Sequence, residues 1–226
     1  MTAPSPAPSP ASTQPFNPAN PSNPCGPAPR REDLAALSHS QLIDRYARSV
    51  ENLDRRIVQT RIDDDILDMS FLPDAGVGRW SCRVLLGHLA DAELLFTQRM
   101  RRVLAETNPV FWVWDEDTFV DSGIYGTEQS VSKLPVAGAI GTIFTLRRWT
   151  LDLLRSLTPD AFDRKGLHPE RGEMTLRTIL EYDVWHLEHH AWYLNRKLDR
   201  VLGPAEEKVQ GGCGSGNCAC KGGPKH

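Results

Sequence analysis

From Leu176 to Leu198, apolar residues return at Leu176, Leu180, Val184, Leu187, Ala191, Leu194 and Leu198, in steps of three and four that draw one unbroken stripe along an α-helix. Thr175 offers a cap before it, and Gly203-Pro204 a stop after it. A helix of this length must lay its apolar face on other layers of structure, and the rest of the chain supplies helices. Leu42, Tyr46, Val50, Leu53 and Ile57 repeat the period after Ser38. Leu85, His88, Leu89, Ala92, Leu95, Phe96 and Val103 repeat it behind Ser81. Val136, Ile140, Ile143, Phe144, Leu151 and Leu154 do so from Pro135 to a stop near Thr158-Pro159. No segment alternates with period two, so the expected fold is all-α, an antiparallel four-helix bundle. Residues 107–135 lack a clean period and hold Trp112, Trp114, Phe119 and Tyr125 among acids and glycines; they read as a long, ordered loop. A polar link through Gly166 and Gly172 leads into the last helix.

The bundle is expected over residues 31–203. Ten of the 17 prolines precede Arg31, and residues 1–30 contain almost no large apolar groups, the composition of a disordered, partly polyproline-like arm. Seven of the 17 glycines follow Leu202, so residues 204–226 read as a flexible Gly/Cys-rich tail. Between these ends, 22 Lys and Arg stand against 27 Asp and Glu, a net charge of −5 that argues against a nucleic-acid grip driven by bulk charge. No apolar run approaches the roughly 20 residues of a bilayer span. The first residues lack the basic start and apolar run of a signal peptide, so a cytoplasmic protein without membrane partners is expected. Of the five cysteines, only Cys82 falls within the bundle, which speaks against a disulfide framework.

Three of the seven histidines crowd into His186-Leu187-Glu188-His189-His190. At roughly 100° per residue, His190 lies roughly 60° and His186 roughly 100° to the same side of Leu187, while His189 lies roughly 160° around and is expected to face water. Residues four apart on a helix stand about 6 Å apart along its axis, so His186 and His190 can reach a common point as two ligands of one metal ion. His88 is the other histidine on the apolar side of an expected helix and is the candidate third ligand. Three neutral imidazoles leave a divalent ion its full charge and open positions, as in a catalytic site. Packing as ordinary core histidines is the alternative. Asp183, on the flank of His186, is a candidate acceptor that orients an imidazole, or else a solvated acid at the bundle edge. Asp91 and Glu93 read equally as capping or surface ion pairs. Trp80, Trp112 and Trp114 are candidates for the walls of an apolar pocket, with core packing favoured for Trp80. A zinc-protease H-E-x-x-H motif is excluded, because Leu187 follows His186 and Glu188 points away from His190.

The segment Trp80-Ser-Cys-Arg-Val-Leu-Leu-Gly-His88-Leu-Ala-Asp91-Ala-Glu93 resembles the second-helix signature of the DinB-like superfamily, the damage-inducible and YfiT-type four-helix bundles. Leu167 to Leu180, followed by His186-Leu-Glu-His-His190, is similar to that family's approach to its last helix. The resemblance spans roughly residues 38 to 202. It implies a divalent-metal site carried here by His88, His186 and His190, with Zn, Ni, Fe and Mn not distinguished by imidazole ligands. It also implies a cytoplasmic, stress-related transferase whose partners are a small thiol and an electrophile, with a homodimer left open. The tail cysteines Cys213, Cys218 and Cys220 suit soft ions. The competing expectation is therefore a non-enzymatic metal-handling or stress-response binding protein that uses this tail.

Overall fold

The computed structural model describes residues 26–59, 62–126, 133 and 135–205; Cys25 and the tail with Cys213, Cys218 and Cys220 lie outside the described residues. Among the described residues, eight α-helices follow in order: α1 (Glu32–Ala35), α2 (His39–Ser49), α3 (Arg55–Gln59), α4 (Asp64–Leu67), α5 (Cys82–Ala105), α6 (Glu116–Asp121), α7 (Val136–Arg155) and α8 (Leu176–Leu202). Two short strands, β1 (Lys165–His168) and β2 (Gly172–Thr175), pair as an antiparallel hairpin before α8. The four long helices α2, α5, α7 and α8 form the expected four-helix bundle. Three of their N-termini are set by side chains: Ser38 and Gln41 make a reciprocal capping box, Ser81 accepts from the Val84 amide, and Thr175 accepts from the Thr178 amide.

Helix order is a property of the packing. α5 and α2 each pack against both α7 and α8, so the two consecutive helices α2 and α5 stand diagonally. Phe96 meets Tyr182 while His88 meets His186 and His190, so α5 and α8 run antiparallel. Glu93 meets Arg147 and Thr97 meets Thr150, so α5 and α7 run parallel.

The apolar stripes fill two clusters that meet end to end. One holds Tyr46, Phe96, Leu151, Leu180 and Val184; the other holds Leu53, Leu85, Leu89, Ile143 and Leu187. Each buried leucine contributes roughly 1.5–3 kcal/mol through removal from water.

Three local expectations change. The first helix is broken: a 3-10 turn at Val50–Asn52 separates α2 from α3. Asp54 causes the break, because its amide donates to Asn195 Oδ1 at 3.1 Å and its carboxylate accepts from the Arg56 amide at 2.8 Å, replacing the helical ladder. Leu53 and Ile57 still reach the core. The polar link contains the hairpin, which no period-two pattern announced. In β1 the inward positions are Gly166 and His168 and the outward one is Leu167, the reverse of the usual alternation. The expected loop is also partly helical, with Asp115 capping α6. No helix among the described residues is long and apolar enough to cross a membrane.

Candidate metal centre

His88 projects from the second turn of α5, and His186 and His190 from successive turns of α8. Their candidate ligand atoms all lie within 4.8 Å of one another. His88 Nε2 and His186 Nε2 are 3.1 Å apart. The structure therefore brings together the three histidines that helix geometry selected. All three are held neutral: burial draws His88 down to about 4 and His190 down to about 3, and burial, then the neighbouring imidazoles, hold His186 well below its ordinary value. Neutral imidazoles with converging nitrogens, two of them on one helix and one on its neighbour, are a donor set that fits a divalent ion.

The same burial makes the metal-free protein acid-sensitive. An unfolded histidine takes a proton near 6.5, whereas folded His88 resists one until about 4. The unfolded chain thus binds more protons in this window, and stability falls as pH drops from about 6.5 to about 4. The expected loss for His88 alone is on the order of 3 kcal/mol, and chemical denaturation of metal-free protein across that range checks it.

Aromatic rings wall the centre. Trp114 stacks on His88 at 5.0 Å, Trp80 lies 4.8 Å from His88 and 5.8 Å from His190, and Phe96 and Tyr182 flank His186 at 5.6 and 6.3 Å. Trp80, for which core packing was favoured, is thus part of the wall. Trp112 is 83% exposed and takes no part. Trp114 is delivered by the segment after α5, pinned by Tyr125, whose ring rests on Gly87 and whose hydroxyl donates to Asp91 Oδ2 at 2.8 Å. A Cβ at position 87 would collide with the Tyr125 ring. Gly87→Ala is therefore expected to lower stability by about 1–3 kcal/mol despite Ala's better helix propensity, and to raise the fluorescence response of Trp114 to added quencher.

The acids lie elsewhere than expected. Asp183 neither orients an imidazole nor faces water: it is 1% exposed and accepts from Arg147 Nη1 at 2.9 Å, while the same guanidinium donates to Glu93 Oε1. Glu93 is likewise buried rather than a surface partner. Burial first, and the Asp183 charge with it, push the Glu93 carboxyl well above its ordinary value, against the opposing pull of Arg147. Arg147 lies 4.2 Å over the Tyr46 ring. This buried group was missed, although Arg147 stands midway between the apolar positions Ile143 and Leu151, a register where a charge has no place on the surface. Glu188 turns away from the imidazoles to a bidentate pair with Arg45 at 2.7 and 2.9 Å. His189 does not face open water; it is half-buried against Trp185 and Tyr193, near Pro29. Residues 26–30, assigned by composition to the arm, lie against α8, where Trp185 and Trp192 donate to the Pro29 and Gly26 carbonyls.

This architecture has relatives. A protein of Oceanobacillus iheyensis, provisionally named a metal-dependent hydrolase, is 28% identical over 161 residues, covering 70% of this chain and 87% of that protein. A Bacillus mycoides protein under the same provisional name is 25% identical over 163 residues, covering 71% and 88%. Among solved structures, YfiT from Bacillus subtilis, described as a provisional metal-dependent hydrolase with an unusual four-helix bundle topology, is 26% identical with a TM-score of 0.63, covering 82% of this chain and 99% of that one. The DinB superfamily profile matches residues 34–194, a span that includes all three histidines. With well over half its length matched, the chain belongs to the DinB superfamily.

Proposed function

We propose that the protein is a divalent-metal-dependent transferase that activates a small thiol for attack on an electrophilic small molecule. The observation that carries this reading is three neutral imidazoles inside an aromatic wall, two buried and His190 half-buried, with each neighbouring carboxylate already engaged. Asp183 is held by Arg147, Glu188 by Arg45 and Asp91 by the Tyr125 hydroxyl. No carboxylate joins the three histidines in their cluster among the described residues. The arrangement suits a nucleophile that needs little help to lose its proton. A free thiol of pKa ~8.5 is only about 3% ionised near neutral pH, and a divalent ion held there supplies the charge that ionises it, a gain of roughly thirtyfold. His88, His186 and His190 would hold the ion as neutral donors. Trp80 and Trp114 exclude water and offer an apolar face to the electrophile.

Hydrolysis is the second reading, favoured by the provisional names of the relatives. Protein loaded in turn with Zn, Ni, Mn or Fe, then given a chromogenic electrophile with bacillithiol, mycothiol or glutathione, separates the two. Turnover that requires the thiol and disappears in His88→Ala is expected. Thiol-independent ester cleavage would establish the hydrolytic reading. Bound metal without either activity, with ion transfer lost on truncation after Gly203, would establish the metal-handling reading instead.

A further inference from the structure

On the Tyr182 side of the imidazoles stand three guanidiniums, none of which makes an ion pair among the described residues, although Glu170 and Glu32 lie nearby. Arg99 on α5 is 4% exposed, yet it has no ion-pair partner among the described residues. Its Nη2 donates to the Trp112 carbonyl at 2.8 Å, and its buried Nε finds no acceptor. Arg171, at the hairpin turn, lies 4.8 Å over the Tyr182 ring; Arg31, ahead of α1, lies 5.6 Å over the same ring. Neither has an ion pair among the described residues, although Glu32 and Glu170 are their sequence neighbours. Burial, then the charge of Arg171, draws Arg99 down to about 10, and the two guanidiniums also hold His168 below its ordinary value after burial. An arginine buried without an anion costs several kcal/mol, a cost that a binding protein recovers when its ligand arrives.

Tyr182 links this cluster to the metal centre. It stands one turn before His186, about 6 Å along the helix, and its ring lies 6.3 Å from the His186 ring. Arg31 and Tyr182 also border a cleft of 430 Å³, shared with Pro29, Trp185, His189 and Glu32, which has the size for a small molecule.

We infer that Arg99, with Arg171 and Arg31, forms an anion-recognition subsite that takes a carboxylate or phosphate carried by the small-molecule substrate, at the Tyr182 end of the metal centre. The inference rests on the proposed function only for the word substrate; anion capture itself needs neither metal nor thiol. A planar guanidinium fork matches either oxyanion. Arg99 supplies the buried contact, and the exposed Arg171 and Arg31 draw the anion in.

Metal-free full-length protein titrated with inorganic phosphate and, separately, succinate provides the test, read by calorimetry and by the unfolding midpoint. Binding weakened at least tenfold in Arg99→Met and in Arg171→Met is expected, since hydrogen bonds to a charged group account for about that factor each. A preference for succinate identifies a carboxylate ligand, and a preference for phosphate a phosphate ester. Arg99→Met, relieved of an unpaired buried charge, is expected to unfold no earlier than the parent when no anion is present, and to lose the anion-induced rise in midpoint. Arg171→Met, altered at an exposed position, guards against misfolding as the explanation. If neither anion binds the parent at about 50 mM, where loose surface attraction is already screened by salt, or both variants bind as the parent does, the subsite is overturned while the metal-centre reading stands.

Discussion

His88→Ala is expected to weaken divalent-ion binding by more than roughly 100-fold, since even the outer partners of metal ligands cost 10–100-fold when removed. The variant leaves His186 and His190, one turn apart on α8, as a two-nitrogen arm, and removes the imidazole that closes the set from α5. His190→Ala is expected to behave alike. His189→Ala supplies the control: it lies between the two α8 ligands in sequence, yet its ring is turned toward Trp185 and Tyr193. Competition against a chromophoric chelator, on protein purified without nickel resin, measures all three. Stoichiometric metal retained in both His88→Ala and His190→Ala would remove the site assignment. Nickel or zinc lost equally from His189→Ala would show that the ion sits elsewhere on α8.

Arg147→Met is expected to cost about 3–5 kcal/mol, the usual penalty for breaking a buried ion pair from one side, or a fall of roughly 6–20 °C in midpoint for a domain of this size. The guanidinium is 3% exposed and reaches Glu93 and Asp183 at once. Without it, two carboxyls remain buried with no cation, and each avoids charge by keeping a proton. Their folded affinities for protons then lie above the unfolded ones, so the folded variant binds more protons and its stability falls as pH rises from about 5 to 8. In the parent, burial already raises both carboxyls, but the Arg147 charge opposes that rise, so the slope is expected to be steeper in the variant. Glu93→Gln combined with Asp183→Asn is expected to restore much of the loss and remove the slope. Urea denaturation at pH 5 and pH 8 measures both effects, and a loss below about 1 kcal/mol would contradict the burial argument.

The three-histidine cluster was legible because helical periodicity converts spacing into direction. His186 and His190 fall on one flank at i and i+4, and His88 falls on the apolar side of α5, so three positions in the chain already imply a meeting. The acids were not legible in the same way. Asp183 and Glu93 each look like ordinary helix carboxylates until a third helix brings Arg147 between them. Trp80 and Trp112 illustrate the same limit. Both are aromatic residues near expected helices, but one lies against two imidazoles and the other faces out, a choice made by how the preceding turn and the following loop cross the bundle end.

Period and capping, read from sequence, determined which stretches are helical, which faces are buried and which imidazoles share a side, because those properties depend on residues three or four apart. Tertiary structure alone decided that α5 runs parallel to α7, that the Phe111 amide donates to the Leu167 carbonyl of the hairpin, and that Arg147 and Arg99 are buried, the first between two carboxyls. Those outcomes depend on groups 36 to 54 positions apart in the Arg147 cluster alone. Charge pairing at such separations leaves no periodic trace in a chain; it arises only when packing brings the helices together and removes the water between them.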